Sequence, residues 1–466
     1  MVMHETFHRS IQDAASCFKE IPKDIPIKII SLNSADGISA SAILVKAFLK
    51  ERRQYTLSVV NSLTEEMLAR QLDSGFGAFV FCDLGSAYLK QISSNLPGKK
   101  IFIFDHQQVN DFFVVDNFVH INPHLHDFDG SIDISSAGIA FLFANAMNKN
   151  NVSMAYLALV GAIGDAQENG GFSSINKEIL DMAIDERSMQ VSEGLRLFGI
   201  NTKPLYEVLE NSSAPLIPGV SGSEKGALML LKETRINPKI GNSWKKMIHL
   251  ADDELKRLVD AILRRIPGEH DENLIFGNIY TLLGETQQSP YRDLREFATI
   301  LDSCCKMSQP SIGVGACLGN KKMKASAIHL QMDYKKILGK NLSWFDGNTH
   351  LRGENYLIIN AEENIRPTLI SSFCSILAKT RDYLKGTIII AMARTDELTT
   401  KVSARLCGSC GIDVSELLDA IIRPLDGECS GHKQVAGGMI KTEHEVAFIE
   451  NAKKILERQS LEEVLC

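Results

Sequence analysis

Short apolar runs that end in a carboxylate constrain this chain more than any other feature. Ile27–Leu32 (IKIISL) is followed by Asp36, Ala78–Cys82 (AFVFC) by Asp83, and Ile101–Phe104 (IFIF) by Asp105 and His106. Between them lie segments of helical character, ISASAILVKAFLK and TEEMLARQLD. Continuous β-branched and aromatic runs alternating with helices predict a mostly parallel sheet covered on both faces. In such sheets ligands gather beyond the C-terminal strand ends. One Asp after a strand usually caps a helix or turn. Several carboxylates and a histidine along the same edge exceed what capping needs. Leu57–Val60 is a further strand candidate, Phe118–Ile121 leads into an Asn122-Pro123 turn, and Ser135–Met147 reads as a helix. Met154–Ile163 reads as another, closing on Gly164 and Asp165.

At 466 residues the chain exceeds what one core supports. The pattern predicts a first α/β domain over 1–173, a helical insertion or middle domain over 174–287, and a return with a connecting helix over 288–345. A smaller α/β domain follows over 346–466. The insertion is marked by NKEILDMAIDERSMQVSEGLRLF and ADDELKRLVDAILRRI. The last domain has strand candidates Tyr356–Ile359, Thr387–Met392 and Lys401–Ala404, and helices at Thr368–Leu377 and Glu443–Leu456. Composition is that of a globular protein, 44% hydrophobic and 23% charged. No apolar run approaches the ~20 residues of a membrane span. Met1–Phe18 carries Glu5, His8, Arg9 and Asp13, which suits an amphipathic helix and not a secretory segment. Ten cysteines with a single C-x-x-C pair, Cys407 and Cys410, fit a reducing compartment, and a cytoplasmic location is expected. A net charge of −7 excludes a generally basic nucleic-acid binder, so any such contact requires a local basic groove.

Asp36, Asp83, His106 and Asp165 are the side-chain types that hold hard divalent ions such as Mn²⁺ or Mg²⁺. Two such ions about 3.5–4 Å apart activate water and stabilise a leaving oxygen in phosphoester cleavage.

The succession N-S-A-D-G, C-D-L-G, F-D-H-Q and G-A-I-G-D resembles the four motifs of the DHH phosphoesterase superfamily, which includes RecJ exonucleases. Downstream, Ser403, Ala404 and Arg405, then Ser430, Gly431 and His432 with Ala436, Gly437 and Gly438, resemble the DHH-associated domain. There a Gly-Gly-His loop and a Ser-x-Arg strand grip a nucleic-acid end. The stretch SPYRDLREFATILDSCCKMSQPSIGVGACLGN is similar to the connecting region of archaeal RecJ-like proteins. The resemblance implies a doubly wound parallel-sheet domain, a helical insertion and a smaller α/β nucleic-acid-binding domain. Arg405, Gly431, His432, Lys433, Gly437 and Gly438 would contact single-stranded DNA or RNA.

The departures are specific. Where the family's first motif has a metal-binding histidine and a first aspartate, this chain has Leu32 and Ser34, and Gln107 stands for the second histidine of the third motif. The resemblance therefore implies at most one Mn²⁺ or Mg²⁺, or none, held by Asp36, Asp83, His106 and Asp165. It implies a catalytically impaired scaffold associated with the GINS complex and the MCM helicase, without a membrane role. The alternative is a single-strand exonuclease using the one retained metal. Hydrolysis of a small phosphoester such as a cyclic dinucleotide is a third possibility within the superfamily. Other polar groups have two readings each: His124, His126, Asp127 and Asp129 as a polar loop in preference to a second metal cluster, Cys407 and Cys410 as packing in preference to a redox pair, and Lys321, Lys322 and Lys324 as a solvated face or, in a RecJ-like cleft, a track for a phosphate backbone.

Overall fold

Alternation along the first strands divides their side chains between two cores. The computed structural model describes residues 2–72, 74–109, 118–200, 202–212, 217–266, 275–380, 383–395, 398–408 and 411–464. A long helix, α1 (Val2–Glu20), precedes β1 (Ile27–Leu32), α2 (Ala35–Lys50), β2 (Tyr55–Val60), α3 (Glu65–Ala69) and β3 (Ala78–Cys82). Next come α4 (Leu89–Asn95), β4 (Lys100–Phe104), β5 (Phe118–Ile121), α5 (Ser136–Met147), α6 (Ala155–Gly164) and α7 (Ser174–Asp185). The five strands form one parallel sheet in the order β2-β1-β3-β4-β5. Ile29, Val80, Phe102 and Phe104 pack with α1, α2, α5 and α6, while Ile30, Phe79, Phe81 and Ile103 pack with α3 and α4. Both faces are thus covered, which is why the central strands are mostly apolar on both sides. α5 and α6 are buried almost all round, as their uniformly apolar sequences require.

The segment SMQVSEGL, read above as helical, is a strand. β6 (Met189–Leu195) and β9 (Phe276–Leu282) form an antiparallel two-stranded ribbon. Between them lie α8 (Leu205–Glu210), α9 (Glu224–Glu233), the short strands β7 (Lys239–Ile240) and β8 (Ser243–Trp244), and α10 (Asp252–Leu263). These elements enclose a separate core of Leu205, Leu209, Leu230, Leu231, Leu258 and Ile262. The ribbon carries the chain out to this insertion and back. Its pairing is between residues far apart in sequence, a partner no local pattern reveals. α7 packs instead on the first core through Ile175, Ile179 and Ala183.

After the ribbon come α11 (Leu294–Lys306), α12 (Pro310–Cys317) and the long α13 (Lys321–Asp346). The chain forms two compact units, Met1–Gln331 and Met332–Cys466, so the boundary falls within α13. The second unit contains β10 (Leu351–Arg352), β11 (Tyr356–Asn360), α14 (Pro367–Thr380), β12 (Ile388–Arg394), β13 (Thr399–Leu406), α15 (Val414–Ile422), β14 (Glu428–His432), β15 (Val435–Lys441) and α16 (Glu445–Val464). Its six-stranded sheet runs β10-β11-β12-β13-β15-β14. Only the β11–β12 pair is parallel. α14 covers one face, and α15 and α16 cover the other. The glycine-rich stretch is a β-hairpin, β14 pairing antiparallel with β15 from Glu428–Met439 to His432–Val435, and β13 pairs with the other edge of β15 from Thr399–Lys441 to Arg405–Val435. Among the described residues no helix is long and apolar enough to cross a membrane.

Candidate metal centre

The strand order β2-β1-β3-β4-β5 puts a topological switch between β1 and β3. α2 leaves β1 toward one face and α4 follows β3 on the other. Ligands collect in such a crevice because the two departing connections leave it open. Asp36 stands in the first turn of α2, Asp83 directly after β3, His106 two residues past β4, and Asp165 caps the C-terminus of α6. One ligand atom from each of the four lies within 4.8 Å of the others. His106 Nδ1 is 3.5 Å from Asp36 Oδ2 and 3.9 Å from Asp83 Oδ1, and its Nε2 is 3.6 Å from Asp165 Oδ2.

The N-terminus of α5, which no motif singled out, organises the group. Ser136 N–H donates to Asp36 Oδ2 at 2.8 Å, and Ala137 N–H to Asp36 Oδ1 at 3.0 Å. Free N–H groups and the helix dipole favour a carboxylate at that end. The same Ser136 N–H lies 3.1 Å from His106 Nδ1, and Ser136 Oγ donates to Asp83 Oδ1 at 3.2 Å. A run of hydroxyl residues opening an apolar helix, Ser135 and Ser136, was the available sequence signal. Gly161 on α6 is a further requirement: a Cβ there would fall 2.3 Å from Asp36 Oδ1 and 2.5 Å from Ala137 Cβ. Asp83 itself has φ of 61°, an uncommon left-handed conformation for a residue with a side chain. Such conformations cost about 1–3 kcal/mol and concentrate at functional sites.

Three carboxylates crowd one imidazole here. Burial first, then Asp36 and Asp165, hold Asp83 well above the usual carboxylate range. Loss of water and the neighbouring Asp36 push Asp165 up to about 7. Burial alone would pull His106 down, but Asp36, Asp165 and Asp83 together raise it to about 10. A divalent cation resolves this repulsion, and three carboxylate oxygens with one imidazole are the donors hard ions choose. The four residues fit Mn²⁺ or Mg²⁺, which would supply a Lewis acid for a bound phosphoryl oxygen.

The departures from the motifs have structural positions as well. Leu32 ends β1 and packs partly buried beside the core under α3 and α4. Ser34 caps α2 by accepting Gly37 N–H at 2.8 Å, and its hydroxyl donates to Asp83 Oδ2. Gln107 is exposed. Asp105 does not join the cluster: it accepts Ser86 N–H at 2.9 Å and Gln107 N–H at 3.2 Å, holding its own loop.

His124, His126, Asp127 and Asp129 form a turn. Asn122 Oδ1 accepts His124 N–H at 3.0 Å, and Asp129 Oδ1 accepts from Ser131. Lys324 pairs with Glu285, leaving Lys321 and Lys322 exposed at the start of α13. Cys407 is buried, which raises its thiol to about 11, and Cys410 lies outside the described residues.

In the second unit Arg405 is half-buried on β13. Its Nε donates to Ser375 Oγ at 2.7 Å, and one terminal nitrogen to Ser403 Oγ at 3.0 Å and to the carbonyls of Ala404 and Ala436 at 2.8 and 3.4 Å. None of these acceptors is charged. Gly431 and His432 lie on β14, the side chain of His432 being outside the described part, and Lys433 is exposed at the hairpin turn. Gly437 and Gly438 lie within β15, paired with Ser403 and Val402. A Cβ on Gly438 would strike Ile422 Cδ1 at 2.5 Å and Glu428 O at 2.6 Å, so packing inside the hairpin already requires glycine there.

Residues 197–271, almost all of the segment between β6 and β9, match the DHH-CID domain, and residues 353–458 match the DHHA1 domain. The solved structure of the exonuclease RecJ bound to manganese superimposes with a TM-score of 0.58 at 15% identity, over 96% of this chain and 94% of that one. This is a RecJ-like fold. CDC45 from Entamoeba histolytica aligns with a TM-score of 0.64 at 13% identity, over 97% of this chain and 98% of that one. An uncharacterized protein of Methanocaldococcus jannaschii is 28% identical over 317 residues, 67% of this chain and 68% of its own length. RecJ structures from Thermus thermophilus hold Mn²⁺ or Mg²⁺, the ions that suit the acidic cluster of the RecJ-like fold.

Proposed function

We propose that this chain is a RecJ-related nucleic-acid-binding protein that holds at most one divalent ion and cleaves phosphodiesters weakly or not at all. The observation that carries this reading is the hydrogen bond from Ser34 to Asp83 Oδ2. That bond occupies a carboxylate oxygen that would otherwise be open to a second ion, and Leu32, at the end of β1, supplies no ligand. Asp36, Asp83, His106 and Asp165 would hold the single ion. Arg405, hydrogen-bonded only to neutral acceptors among the described residues, is a natural partner for a phosphate, and Lys433 stands exposed at the turn of the β14–β15 hairpin, whose β15 pairs with β13. Such a protein acts as a scaffold in replication, gripping a single strand and meeting the GINS complex and the MCM helicase; these partners enter through the likeness of its connecting segment to archaeal RecJ-like proteins.

Gln107 donates hydrogen bonds but carries no charge where a second histidine would stabilise the transition state. Losing one such donor costs roughly 10²–10³ in rate. The test is Mn²⁺ titration of the purified chain combined with binding and cleavage of a fluorescent single-stranded oligonucleotide. One ion or none per chain is expected, with binding weakened in Arg405→Ala and little cleavage. Two ions per chain, or rapid Mn²⁺-dependent degradation abolished in Asp83→Ala, would refute the reading.

A second reading, a single-strand exonuclease working with one metal, draws on the intact acidic quartet. It is separated by the same assay: slow cleavage that tracks single-site Mn²⁺ occupancy supports it.

A further inference from the structure

We propose a second metal site, unrelated to the acidic cluster, in which His4 and His8 of α1 and Glu178 of α7 hold a zinc-class transition-metal ion. His4 and His8 stand four residues apart on one helix and therefore share a face. His4 Nδ1 lies 2.9 Å from Glu178 Oε1, and His8 Nε2 lies 2.9 Å from Glu178 Oε2. The three donors are all within 4.8 Å of one another. Ligand atoms bound at about 2.1 Å to one ion stand roughly 3.0–3.4 Å apart, so the two histidine–glutamate separations need little adjustment.

The donor set points to the ion. Two imidazoles and one carboxylate are a recurrent zinc combination that leaves positions for water. Imidazole-rich sites favour Zn²⁺, Co²⁺ and Ni²⁺ over Mg²⁺, whereas the acidic cluster, with three carboxylates to one imidazole, has the opposite preference. The side chains of His4, His8 and Glu178 are 39%, 37% and 37% exposed, so an ion and its waters have access. The helix that presents the histidines is also well anchored. Phe7, between them, is fully buried and packs edge-on against Phe128 at 5.7 Å, and the Phe128 ring meets His4 edge-on at 4.9 Å. Without an ion the two imidazoles and the carboxylate form a hydrogen-bonded strut between α1 and α7. With one, the strut becomes a coordinate link.

The experiment compares Zn²⁺ binding by the full chain carrying Asp83→Asn, which disables the acidic cluster, with the same chain also carrying His8→Gln. Glutamine keeps a hydrogen-bond donor toward Glu178, and metal-free thermal melts of the two proteins check that the fold is retained. The first protein is expected to bind one Zn²⁺, and the second to bind it at least tenfold more weakly, with Mg²⁺ bound by neither. Equal Zn²⁺ affinity in both would overturn the proposal, as would the absence of Zn²⁺ binding in the first. Crystals of the unaltered protein grown with Zn²⁺ give an independent reading. Anomalous density within about 2.2 Å of His4 Nδ1, His8 Nε2 and a Glu178 oxygen supports the site. Three ordered side chains without such density overturn it.

Discussion

Both oxygens of Asp36 accept backbone N–H groups at the N-terminus of α5, and His106 Nδ1 stands 3.5 Å from Oδ2. That arrangement depends on the missing side chain of Gly161. Gly161→Ala would drive a methyl group into Asp36 Oδ1 and Ala137, both fully enclosed. Overpacking of this kind costs about 1–3 kcal/mol. Urea denaturation should show that loss, and Mn²⁺ affinity should fall with it, since Asp36 must move. An unchanged denaturation midpoint would mean that the helices yield more easily than their packing suggests. At this scale the sequence was informative wherever chemistry needs a particular side chain. Asp36, Asp83, His106 and Asp165 could be picked out, and the structure brings them together. Ser136 and Gly161 could not, because one acts mainly through its backbone and the other through the absence of an atom.

Among the elements, α11 is tied to the insertion by a buried acid. Glu296 is 2% exposed, and Thr202 Oγ1 donates to it at 3.4 Å. Burial first, then Asp293, push its carboxyl up to about 8, against smaller opposing effects from Gly199, Thr202 and Lys203. The folded state therefore binds this proton more tightly than the unfolded chain does. Its contribution to stability is complete below the unfolded value near 4.5 and is lost as pH rises through about 8. Glu296→Gln should flatten the decline in thermal stability between about pH 5 and about pH 9. If the variant and the parent declined in parallel, another group would be responsible. Strands buried on both faces were legible at this scale because their sequences are mostly apolar and rich in β-branched or aromatic residues; β1 and β3 have the bounds their sequences suggest. β6 was not, since Gln190, Ser192 and Glu193 dilute its pattern and its partner β9 lies beyond the insertion.

The whole molecule consists of two units, each with complete cores. The second has a six-stranded sheet with helices on both faces, and the end of α13 contributes Phe345 to one of its cores. Residues 332–466 expressed alone should therefore fold and melt cooperatively by circular dichroism. A non-cooperative melt would mean that this core relies on the first unit. Such a fragment, once folded, would also allow the strand binding proposed for Arg405 to be tested apart from the acidic cluster.

What the sequence determined by itself was the parallel sheet and the four residues that meet in the acidic cluster. Those follow from residue type and local periodicity, which need no partner to be read. Tertiary structure alone decided that the α5 N-terminus braces Asp36, that a ribbon brackets the insertion, and that His4 and His8 meet Glu178. Each of these joins segments distant in the chain, through contacts that exist only once the intervening core has formed.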